Sequence, residues 1–303
     1  MRVLACDGID AAAIERLRQA GHEVAEAKAL KGDALIAALK GTSGLLVRGA
    51  TKVTAGVFPA CPELKIVVRA GTGTDNIDSE AAAAAGVTVT NTPHANSVSV
   101  AELVFAMMLA LERHLVPASN DLRNGVWEKS KYLGRELSGR TLGVLGFGRI
   151  GREVATRARA FDLTVIAHDP RHRAGSEGFD WVKAMDRDDV LRAADILTLH
   201  VPLVDGTHRM MNAQALGLMK SDAILINASR GGVVDEGALF DALATGHLRG
   251  AAMDVFESEP PPSDHPLLKL PNFLPLPHLG ASTVEAQRRA GMEAAERVIQ
   301  ALA

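Results

Sequence analysis

Aromatic residues are scarce in this 303-residue chain: one tyrosine, two tryptophans and eight phenylalanines, 4% in all. Rings can therefore supply little of its core. Alanine and valine are plentiful instead, which suits aliphatic sheets covered by alanine-rich helices. Cysteine is nearly lacking. Cys6 and Cys61 stand far apart, in neither a C-x-x-C motif nor a metal-ligand spacing. A disulfide framework and a cysteine-held metal are excluded, and both residues read as free thiols of a reducing compartment. No uncharged apolar run is long enough to span a membrane as a helix. Charge is nearly balanced, at −3 net, so a broad nucleic-acid or polybasic membrane surface is not expected. Any anionic ligand has to be held by a local group of basic residues. Met1–Asp7 reads as a strand and is too short for a signal peptide, so a cytoplasmic location is expected.

What is present looks globular: 47% hydrophobic and 23% charged residues, in a length that suits two domains. Strand candidates in the first ninety residues are Val3–Ala5, Gly44–Val47, Leu64–Val68 and Val87–Thr90. Helices are expected over Ala11–Ala20, Asp33–Leu39 and Glu80–Ala85. Such alternation implies a parallel sheet covered on both faces. A long helix is expected from about Ser97, with Val100, Leu103, Val104, Met107, Met108 and Leu111 as its apolar stripe and Ser99 and Glu102 at capping-box spacing. Residues Arg113–Arg140 read as a polar arm. Later strands are expected at Thr141–Leu145, Leu163–Ala167, Asp195–Leu199, Ala223–Asn227, Gly250–Asp254 and Asn272–Leu276. A last helix is expected from Ser282, with Glu285 at capping-box spacing, returning to the first domain.

The most informative segment is Gly146-Phe147-Gly148-Arg149-Ile150-Gly151, which follows the strand candidate Thr141–Leu145. Strand, glycines, helix, second strand and then Asp169, 18 positions beyond Gly151, form the dinucleotide-binding fingerprint in its expected order. The glycines turn the chain and let backbone approach a pyrophosphate, which sits on the helix N-terminus. Asp169 suits the adenosine ribose and disfavours a 2′-phosphate, so NAD is expected over NADP. Arg171, His172 and Arg173 follow at once and are placed to grip such a phosphate, which leaves the strictness of that preference open.

Three further motifs stand at strand ends: Asn227-Ala228-Ser229-Arg230-Gly231-Gly232, Asp254-Val255-Phe256-Glu257-Ser258-Glu259-Pro260, and Pro277-His278-Leu279-Gly280-Ala281-Ser282-Thr283. With Leu46 to Thr54, Arg69 to Asp78, Gly148 to Ala155 and Glu285 to Gln287, they make the chain resemble the D-2-hydroxyacid dehydrogenases over nearly its whole length, nearest to members that oxidise 3-phospho-D-glycerate. The resemblance implies an α/β fold of two Rossmann-like or flavodoxin-like parallel-sheet domains. The dinucleotide-binding domain, 96–281, is inserted between the two parts of a substrate-binding lid domain, 1–95 plus 282–303, and the two close on substrate. It implies NAD-dependent oxidation of 3-phospho-D-glycerate, the entry from glycolysis to serine. Hydride leaves C2, His278 is the acid–base group, Glu259 holds its other ring nitrogen, and Arg230 binds the substrate carboxylate.

Cofactor contacts carry over to Thr72, Gly146, Gly148, Arg149, Ile150, Gly151, Asp169, Val201, Ala228, Ser229, Arg230, Asp254, His278, Gly280 and Ala281. Val201 stands where the family often has threonine. Substrate contacts carry over to Arg48, Arg69, Gly71, Thr72, Gly73, Asn96, Arg230 and His278. Gly71-Thr72-Gly73 reads as a backbone nest for a carboxylate. Arg48 and Arg69 supply charge for a phosphate, and Lys129, Lys131 and Arg135 are looser candidates. The other histidines read as structural, and no metal is expected. Partners are expected to be a small anionic 2-hydroxyacid and a second copy of the chain in a homodimer, with no nucleic acid and no membrane. The chain stops soon after its last helix, where longer family members carry regulatory domains, so no serine feedback is expected. Two other readings keep the resemblance: a glyoxylate or hydroxypyruvate reductase, and an NADH-sensing protein like the transcriptional corepressors of this fold.

Overall fold

In both sheets most strands are short apolar runs followed by a helix that carries the chain back, and every strand runs parallel to its neighbours. In this computed structural model, which describes residues 1–171 and 178–303, the chain divides into two compact units. One is Met1–Ser99 with Ala281–Ala303, and the other is Val100–Gly280.

The first unit runs β1 (Arg2–Ala5), α1 (Ala11–Gln19), β2 (Glu23–Glu26), α2 (Asp33–Leu39), β3 (Gly44–Val47), α3 (Val57–Ala60), β4 (Ile66–Arg69), α4 (Ser79–Ala84) and β5 (Thr88–Asn91). Its strands pair in parallel in the order β2-β1-β3-β4-β5. The last helix, α11 (Val284–Leu302), completes it. Ala290, Ala294, Val298 and Leu302 join Ala13, Leu17, Val3 and Leu46 in one core. Arg16 Nε reaches Glu296 Oε1 at 2.7 Å across the pair α1 and α11.

The second unit holds most of α5 (Ser97–Glu112), then α6 (Leu115–Arg123), β6 (Thr141–Leu145), α7 (Arg149–Ala160), β7 (Thr164–His168), β8 (Lys183–Ala184), α8 (Arg187–Ala193), β9 (Ile196–Leu199), α9 (Ala213–Leu218), β10 (Ile224–Asn227), α10 (Glu236–Ala244), β11 (Gly250–Met253) and β12 (Phe273–Pro275). Its sheet is wholly parallel, in the order β12-β11-β10-β9-β6-β7-β8. Strand order reverses at β6, so the loops after β6 and β9 diverge there. That edge is where open parallel sheets bind ligands. Two apolar cores cover the sheet.

The expected fold class is the observed one: two parallel sheets in an α/β chain. Local differences have physical causes. β2 has no apolar run and is an edge strand, with Val24 and Ala25 only half-buried. The polar arm contains helix α6, which has no buried residue and hence no core-facing stripe. Ser99 does not cap α5. It is that helix's third residue, and its Oγ donates to Asn96 O at 3.0 Å. Ser282 does not open α11. Thr283 caps it, its Oγ1 accepting from Ala286 N at 3.1 Å.

Candidate active site

The fingerprint turn lies at the C-terminal end of β6. Gly146 has φ +92°, and a Cβ there would stand 2.5 Å from His200 O. A Cβ at Gly151 would run into Gly146 O. Only glycine fits either position. Gly148 is the N-cap of α7. It gives no side-chain cap, the first turn of α7 carries no acid, and the space at Gly148 is open. The opening amides of a twelve-residue helix therefore face a position that an anionic pyrophosphate fits. Asp169, just beyond β7, accepts from Phe147 N at 2.7 Å through Oδ2 and from Arg171 N at 2.8 Å through Oδ1. His172 and Arg173 lie outside the described residues. His200 directly follows β9, with Nε2 3.0 Å from Thr198 Oγ1, and burial pulls its pKa down to about 3, so its ring is neutral. Val201 N also lies against Gly146.

Beyond β10, buried Asn227 shapes the next loop. Its Oδ1 accepts from Ser229 N at 3.0 Å and Ser229 Oγ at 2.7 Å, while its Nδ2 donates to Arg230 O at 3.1 Å. Ala228 and Ser229 are buried beside it. Arg230 donates to Ser229 O at 2.7 Å. Beyond β11, Asp254 is 2% exposed, and its carboxylate accepts from Leu279 N at 2.6 Å and Gly280 N at 2.8 Å. Burial raises the Asp254 carboxyl despite those two bonds. The clamp fixes the turn that bears His278, itself at φ +56°.

His278 Nδ1 lies 2.7 Å from Glu259 Oε2, and Phe256 N donates to Glu259 Oε1 at 3.2 Å. Burial alone would raise the Glu259 carboxyl. The hydrogen bond and charge of His278, the Phe256 amide and the charge of Arg230 outweigh it and leave it lowered. With Nδ1–H donating to Glu259, the neutral imidazole presents its lone pair at Nε2. Roughly half of each side chain meets solvent, 47% for His278 and 40% for Glu259. Neighbouring Glu257 instead pairs with Arg209, at 3.1 Å.

The remaining sequence candidates fall in the first unit or on the arm. Arg48 follows β3, and Asp7 organises its loop: Oδ2 accepts from Arg48 N at 2.8 Å and Thr51 N at 3.0 Å. Arg69 ends β4 with its guanidinium against Gly71. Thr72 Oγ1 donates to Asn96 Oδ1 at 2.6 Å, and Asn91 Nδ2 donates to Thr72 O. Gly73 sits half-buried in the same loop. Lys131 and Arg135 have acidic partners in their own unit, Asp121 at 3.1 Å and Asp222 at 2.6 Å. Lys129 is exposed. Among the described residues no cluster suits a metal ion, and no helix is long and apolar enough to cross a membrane. Sequence reasoning passed over the clamping role of Asp254 and the part played by Asn227. Their signal was present, since each ends or directly follows a buried strand at the binding edge.

Comparison with known proteins bears on this edge. Residues 105–280 match the family profile described as D-isomer specific 2-hydroxyacid dehydrogenase, NAD binding domain. The chain is 44% identical to D-3-phosphoglycerate dehydrogenase of Methanocaldococcus jannaschii, over 100% of its own length but 57% of that protein. It thus spans little more than half of that relative. It is 42% identical to hydroxypyruvate reductase of Thermotoga maritima, over 99% of this chain and 98% of that one. A solved protein from Thermus thermophilus superposes with a TM-score of 0.92 at 36% identity, covering 100% of this chain and 97% of the other.

Proposed function

We propose, since this chain belongs to the D-isomer specific 2-hydroxyacid dehydrogenase family, that it oxidises 3-phospho-D-glycerate to 3-phosphohydroxypyruvate with NAD, the step that opens serine synthesis. The observation that carries the reading is the 2.7 Å contact between His278 Nδ1 and Glu259 Oε2 at the C-terminal edge of the parallel sheet. Glu259 holds the imidazole in the tautomer whose Nε2 accepts the proton of the C2 hydroxyl. Its lowered, ionised carboxylate then stabilises the imidazolium. Arg230 binds the substrate carboxylate through its donor fork. NAD, when bound, supplies the two-electron acceptor for oxidation at C2. Gly146, Gly148 and the opening amides of α7 hold its pyrophosphate, and Asp169 holds its ribose. Ala228, Asp254, Gly280 and Ala281 border the nicotinamide. Arg48 and Arg69 supply the positive charge that a phosphorylated substrate requires.

A homodimer through the second unit belongs to the same reading. Trp127 and Leu133 on the arm are 81% and 89% exposed, with Leu115 and Leu122 also open, and such apolar surface suits a partner. Buried free Cys6 and Cys61 suit a cytoplasmic location. The full-length likeness to a hydroxypyruvate reductase supports a second reading with the same residues and an unphosphorylated substrate. Comparing kcat/KM on 3-phosphoglycerate and on glycerate, with the reverse reaction run on hydroxypyruvate, separates them. Preference for the unphosphorylated acids overturns the first reading. Absence of turnover across a 2-hydroxyacid panel, with tight NADH binding kept, overturns both in favour of a nucleotide sensor.

A further inference from the structure

One carboxylate behind the His278–Glu259 pair is held in a way that its place in a helix does not require. Glu236 is the first residue of α10, and Asp235 already caps that helix, its side chain accepting from Ala238 N at 3.0 Å. An acid at this position suits the helix dipole while pointing into water. Glu236 instead turns inward, its side chain 13% exposed. Oε1 accepts from Glu257 N at 2.7 Å, and Oε2 meets His265 Nε2 at 2.9 Å.

Those two bonds straddle Glu259. Glu257 lies two residues before it and His265 six residues after. One carboxylate therefore ties both arms of the loop that presents Glu259 to the imidazole. The His265 ring packs edge-on to Phe256, with centroids 6.1 Å apart, and the Phe256 amide donates to Glu259 Oε1. On the outer side Arg209 grips the Glu257 carboxylate. Nδ1 of His265 is buried with no hydrogen-bond partner among the described residues. With the proton on Nε2, His265 donates to Glu236 Oε2.

We propose that Glu236, with His265, is a positioning residue for the acid–base pair. It fixes the loop so that Glu259 Oε2 stays on His278 Nδ1. The idea deepens the dehydrogenase reading and rests on it for its catalytic meaning, but its geometry is testable without substrate. The probe is histidine-labelled protein, observed by ¹⁵N NMR above the imidazole titration, where ring-nitrogen shifts report the tautomer. Wild-type His278 is expected to be mainly Nδ1–H, and Glu259→Ala, which removes the acceptor, to lose that preference. Glu236→Ala is expected to lose it as well, with kcat on the best 2-hydroxyacid down by up to about a hundredfold, as for a displacement of about 1 Å at the reacting groups, and with NADH affinity unchanged. Glu236→Gln keeps an acceptor for Glu257 N and is expected to fall between.

A merely structural Glu236 would lower the melting temperature and leave the His278 tautomer alone. A folded Glu236→Ala with the wild-type tautomer overturns the proposal. Where Glu236→Ala does not fold, His265→Phe decides, since it breaks only the second bond: a shifted His278 tautomer supports the proposal and an unshifted one overturns it. A wild type that turns over no 2-hydroxyacid sinks the dehydrogenase reading while leaving the NMR comparison intact.

Discussion

Gly231→Ala tests how tightly the loop bearing Arg230 is seated on the loop bearing Glu259. A Cβ at Gly231 would overlap the Phe256 carbonyl and stand 2.8 Å from Glu257 N. Real Cβ atoms essentially never approach a neighbour closer than 3.0 Å, so the loops must part by more than about 1 Å. Neither side yields readily. Asn227 ties down the Arg230 loop, and Glu236 and Glu259 tie down the other through the amides of Glu257 and Phe256. Overpacking of this kind costs about 1–3 kcal/mol, which lowers a urea midpoint by roughly 0.5–1.5 M. A shift of about 1 Å at the reacting groups lowers kcat/KM by about a hundredfold. Urea unfolding followed by far-ultraviolet circular dichroism, with steady-state NADH formation, reads both. Gly217→Ala is the control, since it lies inside α9 with open space around it and should gain about 0.5–1 kcal/mol from the lost glycine entropy. Gly231→Ala with a wild-type midpoint and kcat/KM within twofold would refute the close seating of the two loops.

Three further outcomes are expected. His278→Ala should cut turnover about a hundredfold or more while NADH binding persists, and near-normal turnover removes His278 from the mechanism. Asp169→Ala should narrow the preference for NAD over NADP, read as the ratio of catalytic efficiencies; an unchanged ratio moves the selectivity elsewhere. Burial raises the Asp254 carboxyl, so the folded chain holds that proton more tightly than the unfolded one, and ionisation draws stability down as pH rises through the carboxylate range. The stability deficit of Asp254→Asn should therefore narrow from pH 3 to pH 7, and a widening deficit in urea titrations would mean that the Leu279 and Gly280 bonds outweigh the burial.

The legible parts of the fold were those whose pattern is local. β3 and β6 carry apolar runs between breakers, and their bounds could be read directly. β2 could not, because an edge strand that begins with Glu23 and ends with Glu26 has no apolar run to advertise. Helix α6 was hidden by Pro117 in its first turn and by its lack of a buried stripe. The N-cap of α11 lay one residue beyond the expected serine, since Ser282, Thr283 and Glu285 offer competing caps. At the site, His278 was legible through its Pro-His-Leu-Gly setting. Glu257 and Glu259 are chemically alike; the family resemblance assigned Glu259 to His278, and the structure gives Glu259 to His278 and adds Arg209 as the partner of Glu257. Glu236 and His265 stood outside any local pattern, because their bonds join residues 21 and 29 positions apart.

The first unit is a discontinuous object with a consequence for synthesis. Its five strands are translated first, yet Val3, Leu46 and Val68 await Ala290, Ala294, Val298 and Leu302 from the far end of the chain. The second unit is one uninterrupted stretch and has all of its residues available sooner. Translation order and completion order are thus inverted. On the ribosome that face of the N-terminal sheet is covered only in part, by α1, until α11 emerges, and during that interval the nascent chain is exposed to misassembly and in need of a chaperone.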